Sequence, residues 1–412
     1  MPGGVRAAVV CVLGVLALAA GVAGCGSEKE SAVPNGSDTL TIYSSLPLQG
    51  PDRERARDMV NAIKLALQEA GGKAGPFTIT YVPLDSATSE AGTWTADKVL
   101  DNARKAVRDI NAIAYIGERD SAATALSLPL TNEGHILQVS PSSTYDGLTR
   151  ASRRHGEPER FYPSGERTFA RVVPADHLQA SALVGYMKAS GVRRLALLAD
   201  RAIYGGGIAD QVEQAAERRG IEVFDRGRID ASRGDLAGAA RNIAETAADA
   251  FLYAGTTDSG AARIFAAVAE AAPSMLLFGP AAVADHALLE DVSATVKRQM
   301  RVTTPALPAR LLPASARDFR DRFRMTFGRV PAPEALQAYE AASAVLHAIE
   351  SAGTRGNSRQ AVTDAFLAIR DRNSVLGRYS IDANGDTSLS TYAGNRVSGT
   401  QFVLDKVLEV RG

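Results

Sequence analysis

Residues 194–226 read RLALLADRAIYGGGIADQVEQAAERRGIEVFDR and contain one complete strand–helix–strand unit. Arg194–Leu198 is a short aliphatic run and Glu222–Arg226 is a second candidate strand, while Gly205–Arg219 between them has the length of a helix. Two strands separated by a helix predict a βαβ unit, in which the strands are parallel and the helix crosses over one face.

The same alternation continues on both sides of this unit. Further short strands are predicted at Leu40–Ser45, Phe77–Val82, Ile113–Ile116, Ile136–Val139, Ala250–Tyr253 and Met275–Phe278, with helical stretches between them. One series of units ends near residue 174 and a second begins there, each of domain size. Repeated βα units predict the α/β fold class, with parallel sheets covered by helices on both faces.

The N-terminus has the features of an export signal. Arg6 precedes the uncharged, apolar run Ala7–Gly24, which fits a secretory signal peptide over residues 1–24. The run ends in Val22-Ala23-Gly24-Cys25, which resembles the bacterial lipobox. That resemblance implies cleavage before Cys25, a diacylglycerol on its thiol and a linker over residues 25–38. The alternative is an uncleaved anchor, since the run is just long enough to span a bilayer. Under the lipobox interpretation the protein is extracytoplasmic and lipid-anchored to the bacterial cell membrane.

Composition argues against several classes of function. Lys and Arg total 46, as do Asp and Glu, and a neutral chain without a basic run is a poor match for nucleic acid. The two cysteines, Cys11 and Cys25, lie in the N-terminal segment, so the body has no thiol nucleophile or Cys-based zinc site. The five histidines form no HExxH pattern and there is no GxSxG motif. We therefore expect no metal, no cofactor and no catalytic residues.

Two glycine-containing motifs allow more than one interpretation. Tyr204-Gly205-Gly206-Gly207 follows a strand and opens a helix, as a phosphate-binding loop would, but a tight strand-to-helix turn explains the glycines equally. Asp382-Ala383-Asn384-Gly385-Asp386 resembles a calcium loop superficially, yet it lacks the EF-hand spacing. We interpret it as a hairpin turn, for which Asn-Gly supplies left-handed residues.

The loops after the predicted strands are better suited to binding than to catalysis. In open α/β sheets, ligands bind beyond the carboxyl ends of the strands. These loops carry hydroxyls, small residues and helix starts, which suit a carboxylate. They are residues 46–51, 117–121, 140–149, 200–207, 255–259 and 279–282.

Seven segments, in order, resemble the type I periplasmic solute-binding proteins of the branched-chain amino acid ABC transporter class. The segments are LPLQGP (46–51), YIGERDS (115–121), SPSST (140–144), VPADHLQA (173–180), YG (204–205), LFGP (277–280) and GRYS to NGD (377–386). They span nearly the whole of the chain after residue 38.

The resemblance implies two Rossmann-like lobes joined by three crossovers that act as a hinge around a ligand. It places one lobe at residues 39–174 plus 305–371 and the other at residues 175–304 plus 372–412. It also implies delivery of the ligand to an ABC permease by a monomeric protein.

The resemblance also names ligand-binding residues. Ser121 and Thr144 would bind a carboxylate with help from the backbone of Ser143, and Tyr204 would reach across from the second lobe. The remaining candidates are in the first loop and in the loop after the Ala250–Tyr253 strand: Gln49, Thr256, Thr257 and Asp258.

Two departures from the family bear on the ligand. Ala281 stands where the family often has an acid that pairs with a ligand ammonium, and Asp258 or Asp120 could substitute. The first loop continues with Asp52-Arg53-Glu54-Arg55 in place of an aromatic residue. Both departures favour a small carboxylate or amide solute over a standard branched-chain amino acid. The polar segment 150–167 is a solvated loop, a lid over the cleft or a permease contact.

Three classes of function remain open at this point. The first is a lipid-anchored binding protein for import, and the second is a ligand sensor of the same fold that signals to a membrane receptor. The third, an enzyme, lacks a nucleophile–base constellation.

Overall fold

The computed structural model describes residues 37–231 and 233–410, so the predicted signal peptide, Cys25 and nearly all of the linker lie outside the described residues. Two large sheets and one small hairpin contain the strands. The strands are β1 (Thr39–Leu46), β2 (Lys73–Ala74), β3 (Phe77–Asp85), β4 (Ala112–Ile116), β5 (Leu137–Ser140), β6 (Phe169–Arg171), β7 (Arg194–Ala199), β8 (Glu222–Arg228), β9 (Ala250–Ala254), β10 (Leu276–Gly279), β11 (Met300–Thr304), β12 (Arg372–Ser374), β13 (Gly377–Tyr379), β14 (Thr391–Ser398) and β15 (Gln401–Glu409).

Helices separate most of the parallel strands. They are α1 (Arg53–Glu69), α2 (Ala96–Arg108), α3 (Ser121–Glu133), α4 (Asp176–Ala189), α5 (Ile203–Arg218), α6 (Leu236–Glu245), α7 (Ala261–Ala271), α8 (His286–Asp291), α9 (Ala294–Gln299), α10 (Ala314–Phe327), α11 (Glu334–Ser351) and α12 (Arg359–Leu367). Among the described residues, none of the helices combines the length and apolarity needed to cross a membrane.

Each large sheet forms the centre of one lobe. The first has the strand order β2-β3-β1-β4-β5-β6 and the second β15-β14-β11-β10-β9-β7-β8. The central pairs are parallel, as predicted, whereas β2, β14 and β15 add antiparallel edges. Strands β6 and β11 were not predicted, because the former has three residues and the latter mixes apolar with polar residues.

Alternate residues of β1 explain why its sheet is covered on both faces. Leu40, Ile42 and Leu46 belong to the core formed with α1 and α11, whereas Tyr43 packs on the opposite face with Ala106 of α2. Side chains of a strand alternate between faces, and each buried aliphatic side chain contributes roughly 1.5–3 kcal/mol.

The chain crosses between the lobes three times, which agrees with the expected hinge arrangement. The crossovers lie between β6 and α4, between β11 and α10, and between residue 381 and β14. The third differs from the expected boundary at residue 371. Tyr379 and Ile381 pack in the first core, and Arg372 forms an ion pair with Glu340 at 2.7 Å. Residues 372–381 therefore belong to the first lobe, and the second lobe resumes near residue 391.

Candidate functional site

The strand-end loops of the two lobes face one another across a cleft. Ile203, which begins α5 in the second lobe, packs against the first-lobe cluster that contains Leu128 and Tyr145. A Cβ on Gly207 would lie 2.5 Å from the Tyr145 ring, so this glycine is required for the close approach of the lobes. The glycines after Tyr204 are thereby explained by packing rather than by phosphate binding.

Among the described residues, arginine–carboxylate pairs join the lobes at two places around the cleft. Arg55 of α1 lies 2.6 Å from Asp285 of the second lobe. On the other side, Arg153 lies 2.6 Å from Glu213 of α5. The segment 150–167 thus contacts the second lobe, and it is not a loop surrounded only by solvent.

Ser121 and Ser143 lie together at the first-lobe side of the cleft. Ser121 begins α3, and its Oγ accepts the Tyr145 N–H at 3.3 Å, which leaves the hydroxyl hydrogen free for an acceptor. Ser143 is fully buried; its N–H donates to Ser140 Oγ at 2.8 Å. Its hydroxyl is 2.7 Å from Thr124 Oγ1. The backbone N–H that we expected Ser143 to offer a ligand is therefore already engaged.

The N-terminus of α3 is also engaged by the protein itself. Asp120 Oδ1 accepts hydrogen bonds from the N–H groups of Ala122 and Ala123 at 2.7 and 3.4 Å. A carboxylate in this position satisfies the free donors of the helix and complements its dipole. A ligand carboxylate would therefore depend on hydroxyl groups here rather than on the N–H groups of Ala122 and Ala123.

Asp176 is the residue of the cleft that the sequence interpretation missed. It begins α4 directly after the first crossover and is fully buried. Neither oxygen of its carboxylate makes a well-aligned hydrogen bond among the described residues, and the Thr144 hydroxyl is the one side-chain donor beside it there. Burial, with a further contribution from the Asp146 carboxylate, raises the pKa of Asp176 to about 8; the nearby Thr144 hydroxyl and Arg171 oppose the shift only in part. An uncompensated buried carboxylate is costly, so Asp176 is suited to receive a cationic group.

Two further residues fix the surroundings of Asp176. Thr144 accepts the Asp176 N–H through its carbonyl oxygen at 2.9 Å, which holds this site loop against the start of α4. Asp146 is paired through Oδ1 with His177 Nδ1 at 2.7 Å.

Tyr204 lies in the first turn of α5, on the second-lobe side. Its side chain is buried, and burial together with the Asp176 and Asp200 carboxylates holds its pKa well above the usual value. The phenol therefore stays protonated between two acids. It can donate a hydrogen bond, and its contact with a ligand across the cleft stays a prediction.

Gln49, Thr256 and Thr257 are engaged in shaping their own loops. Gln49 Nε2 donates to Asp85 Oδ2 at 2.7 Å. Thr257 donates its N–H to Ala282 O at 3.1 Å, and Thr256 Oγ1 accepts the Ser259 N–H at 3.1 Å. Their direct contact with a ligand stays a prediction.

Asp258 lies at the mouth of the cleft with charged neighbours from both lobes. It interacts electrostatically with first-lobe Asp52 and Arg119. Arg119 forms an ion pair with Asp52 at 2.7 Å. Ala281 begins a short helical turn and has no charged side chain to pair with a ligand ammonium. Asp176, in contrast, is a fully buried acid at the cleft.

Comparison with known structures agrees with this architecture. The leucine-binding protein LivK of Thermotoga maritima is 21% identical with a TM-score of 0.76, and the alignment covers 90% of this chain and 99% of LivK. LivJ of Streptococcus pneumoniae, solved with isoleucine, is 17% identical with a TM-score of 0.71 and coverages of 90% and 99%. A solute-binding protein of R. palustris, solved with benzoate, is 17% identical with a TM-score of 0.72 and coverages of 91% and 98%. These identities establish a shared fold.

No curated protein sequence matches the chain at a significant level. The sequence profile of the periplasmic binding protein family matches residues 39–398. The family and the similar structures are substrate-binding proteins rather than enzymes. This agrees with the residue types in the strand-end loops, whose hydroxyls, small residues and helix starts suit binding better than catalysis. The chain belongs to the periplasmic binding protein family.

Proposed function

We propose that this protein is a lipid-anchored, extracytoplasmic solute-binding protein that captures a small amino-acid-like solute between its lobes and delivers it to an ABC permease. The observation that carries the ligand class is the buried, unpartnered carboxylate of Asp176. The family membership supports the binding role and the extracytoplasmic location.

A ligand ammonium beside Asp176 would offset the free-energy cost of ionising this buried carboxyl group. It brings a positive charge and N–H donors to two oxygens that make no well-aligned hydrogen bond among the described residues and have only the Thr144 hydroxyl and the Arg171 charge to stabilise them. Charge-assisted hydrogen bonds are about twice as strong as neutral ones. This supports an ammonium-bearing solute, although the sequence, through Ala281, favours one without an ammonium.

Hydroxyl groups on the first lobe would bind the ligand's carboxylate. The Ser121 hydroxyl has a free hydrogen because its oxygen accepts the Tyr145 N–H. Tyr204 approaches from the second lobe as a neutral donor. A ligand held by both lobes stabilises the closed arrangement, and the three crossovers provide the hinge.

The lipobox-like sequence that ends at Cys25 supports the proposed lipid anchoring. The similarity to binding proteins of ABC transporters supports the proposed delivery to a permease. Uptake of a labelled ligand by cells, compared with uptake by cells that lack this protein, tests delivery. If cells that lack the protein take up the ligand normally but lose a transcriptional or behavioural response to it, the ligand-sensor alternative is favoured.

A thermal-shift screen with matched compounds tests the ligand class. Each amino acid is compared with its ammonium-free counterpart, for example leucine with 4-methylpentanoate, and benzoate is included. A bound ligand stabilises the protein by RT ln(1 + [L]/Kd). We expect stabilisation by at least one amino acid and none by its counterpart; stabilisation by ammonium-free carboxylates alone would contradict the proposed ligand class.

A further inference from the structure

A cavity of about 480 Å³ lies at the hinge, and its lining residues are outside the strand-end loops that form the cleft. Arg150 and Arg370 line it from the first lobe, His177 lines it from the start of α4 in the second lobe, and residues between 382 and 390 of the third crossover complete it. Small-molecule sites in proteins have volumes of roughly 300–1,000 Å³. This hinge cavity is therefore large enough for a small organic molecule that touches both lobes.

The two acids that line the hinge cavity are engaged within the protein. Arg150 donates through Nε to Asp386 Oδ2 at 2.6 Å and through Nη2 to Asp382 Oδ2 at 2.8 Å. Asp386 Oδ1 accepts a hydrogen bond from Arg171 at 2.8 Å. Asp382 Oδ1 accepts the N–H groups of Asn384 and Asp386, both at 2.9 Å. All four carboxylate oxygens thus have donors, and the two arginines offset the negative charge that would repel an anion.

Donor groups, in contrast, remain available on two sides of the hinge cavity. Arg370 donates through Nη1 to the carbonyl oxygens of Leu367, Ile369 and Ile381 at distances of 2.6–2.8 Å. Among the described residues Arg370 has no carboxylate partner, since the adjacent Asp371 pairs with Arg378. On the second-lobe side, His177 uses Nδ1 for Asp146 at 2.7 Å, which leaves its Nε2 for a ligand.

Three hydroxyl groups that line the hinge cavity are also placed to donate. Ser380 Oγ accepts the Asp371 N–H at 2.9 Å, and Ser388 Oγ accepts the Ser380 N–H at 2.9 Å. Thr387 Oγ1 accepts the Leu389 N–H at 3.3 Å. A hydroxyl oxygen that accepts a backbone N–H keeps its own hydrogen for a further acceptor. Free donors and engaged acceptors together suit a ligand with several anionic oxygens.

We propose that the hinge cavity binds a small organic anion through its carboxylate or phosphate oxygens, and that the bound anion favours the arrangement in which ion pairs join the lobes. A guanidinium group matches both kinds of oxygen in geometry and charge, and Arg370 supplies one that no acid occupies. The anion contacts His177 on one lobe and Arg370 on the other, and a ligand shifts the population toward the conformation that it binds better. This second site lies outside the cleft and does not depend on what Asp176 binds.

Calorimetry with defined probes tests this site. The probes are citrate and glycerol 3-phosphate, and glycerol is their uncharged counterpart. The first variant is Arg370→Gln, which removes the unpaired cation. Because Arg370 also holds three carbonyl groups, a second variant, Ser390→Asp, adds a negative charge to the cavity lining without changing that arginine. Arg378→Gln is the matched control, since Arg378 is an exposed arginine of β13 paired with Asp371.

We expect at least one of the two anions to bind, with one anion per protein, and glycerol not to bind. Binding by citrate alone identifies a carboxylate site and binding by glycerol 3-phosphate alone a phosphate site, and either result supports the proposal. Arg370→Gln and Ser390→Asp should each weaken the bound anion at least ten-fold, while Arg378→Gln leaves its affinity unchanged. Failure of both anions to bind, or unchanged affinity in Ser390→Asp, overturns the site.

Small-angle scattering tests the effect of the anion on the lobes. The native protein without a cleft ligand should have a smaller radius of gyration when the bound probe is saturating, and Ser390→Asp at the same probe concentration should show no such change. An unchanged radius in the native protein with the anion bound overturns the proposed effect on the lobes.

Discussion

Arg171 and Asp386 form a buried ion pair, with 2.8 Å between Nε and Oδ1, although 215 residues separate them in the sequence. Arg171 is fully buried in β6, and its Nη1 donates to the carbonyl oxygens of both Ser143 and Tyr145, at 3.1 and 3.0 Å. Asp386 follows Gly385, whose carbonyl oxygen accepts the Arg171 N–H at 2.9 Å. The turn near the third crossover therefore fixes the site loop through a single arginine.

Asp386→Asn should destabilise the protein by roughly 3–5 kcal/mol, because it leaves the Arg171 charge buried without its partner. The charges of Arg171 and Arg150 lower the pKa of Asp386 to about 2 despite its burial. Its stabilising contribution is therefore present above the unfolded pKa near 4 and should be lost as the pH falls toward 2. Urea unfolding at pH 7 and pH 3 measures both effects. Asp371→Asn, in the exposed pair with Arg378, is the control, and equal losses in the two variants would contradict the prediction.

Asp176→Asn should stabilise the ligand-free protein at pH 8 by on the order of 1–3 kcal/mol, because it removes a buried charge that the Thr144 hydroxyl and Arg171 offset only in part. The pKa of Asp176 is raised to about 8. The carboxyl group's contribution to stability is then fully present below the unfolded pKa near 4 and is lost as the pH rises through 8. The gain from Asn should accordingly be larger at pH 8 than at pH 5. Urea unfolding of both proteins at the two pH values measures it, and a destabilised variant at pH 8 would contradict this account of the site.

Binding of an ammonium ligand near pH 7 should release about one proton, because Asp176 is mainly protonated when free and must ionise to form the ion pair. Calorimetry in buffers of different ionisation enthalpy reports the number of protons exchanged. In Asp176→Asn the exchange should vanish if binding persists. Proton uptake by the native protein, or the same release in the variant, would show that another group titrates.

Arg153→Ala should weaken ligand binding by up to about five-fold, since an exposed ion pair contributes roughly 0–1 kcal/mol. Arg153 bridges from the segment 150–167 to Glu213 of the second lobe, so its loss favours the open arrangement. The difference from the native protein should shrink in high salt. Arg104→Ala is the control, because Arg104 pairs with Asp101 on the same helix of the first lobe. Equal effects of the two substitutions on affinity would exclude a role of this segment in closure.

Cys25→Ser should leave the precursor uncleaved or release the protein from the membrane fraction, since a serine has no thiol to carry the lipid. Fractionation followed by mass determination of the protein measures both outcomes. A membrane-bound variant with the mature native mass would contradict lipid attachment at Cys25.

Local patterns predicted the fold because its strands and helices are regular. The run Arg194–Leu198 became β7 and the turn at Asn384-Gly385 joins an antiparallel bridge between Ile381 and Thr387. The boundary at residue 371 was misplaced because β12 and β13 are held by tertiary contacts such as Arg372 with Glu340.

The candidate site was less predictable because its chemistry depends on burial. The segment 140–144 was identified, yet nothing local shows that the Ser143 N–H is used by Ser140. Asp176 resembles an ordinary acid in the first turn of a helix, and only its position directly after the crossover could have indicated a role. Its missing partners are a property of the assembled lobes.

The most direct test of the central claim is a crystal structure of the protein with its tightest amino-acid ligand. We predict that the ligand lies between the lobes with its ammonium within hydrogen-bonding distance of Asp176 and its carboxylate beside Ser121. A ligand bound elsewhere, or one that leaves Asp176 without a cationic partner, would contradict the account.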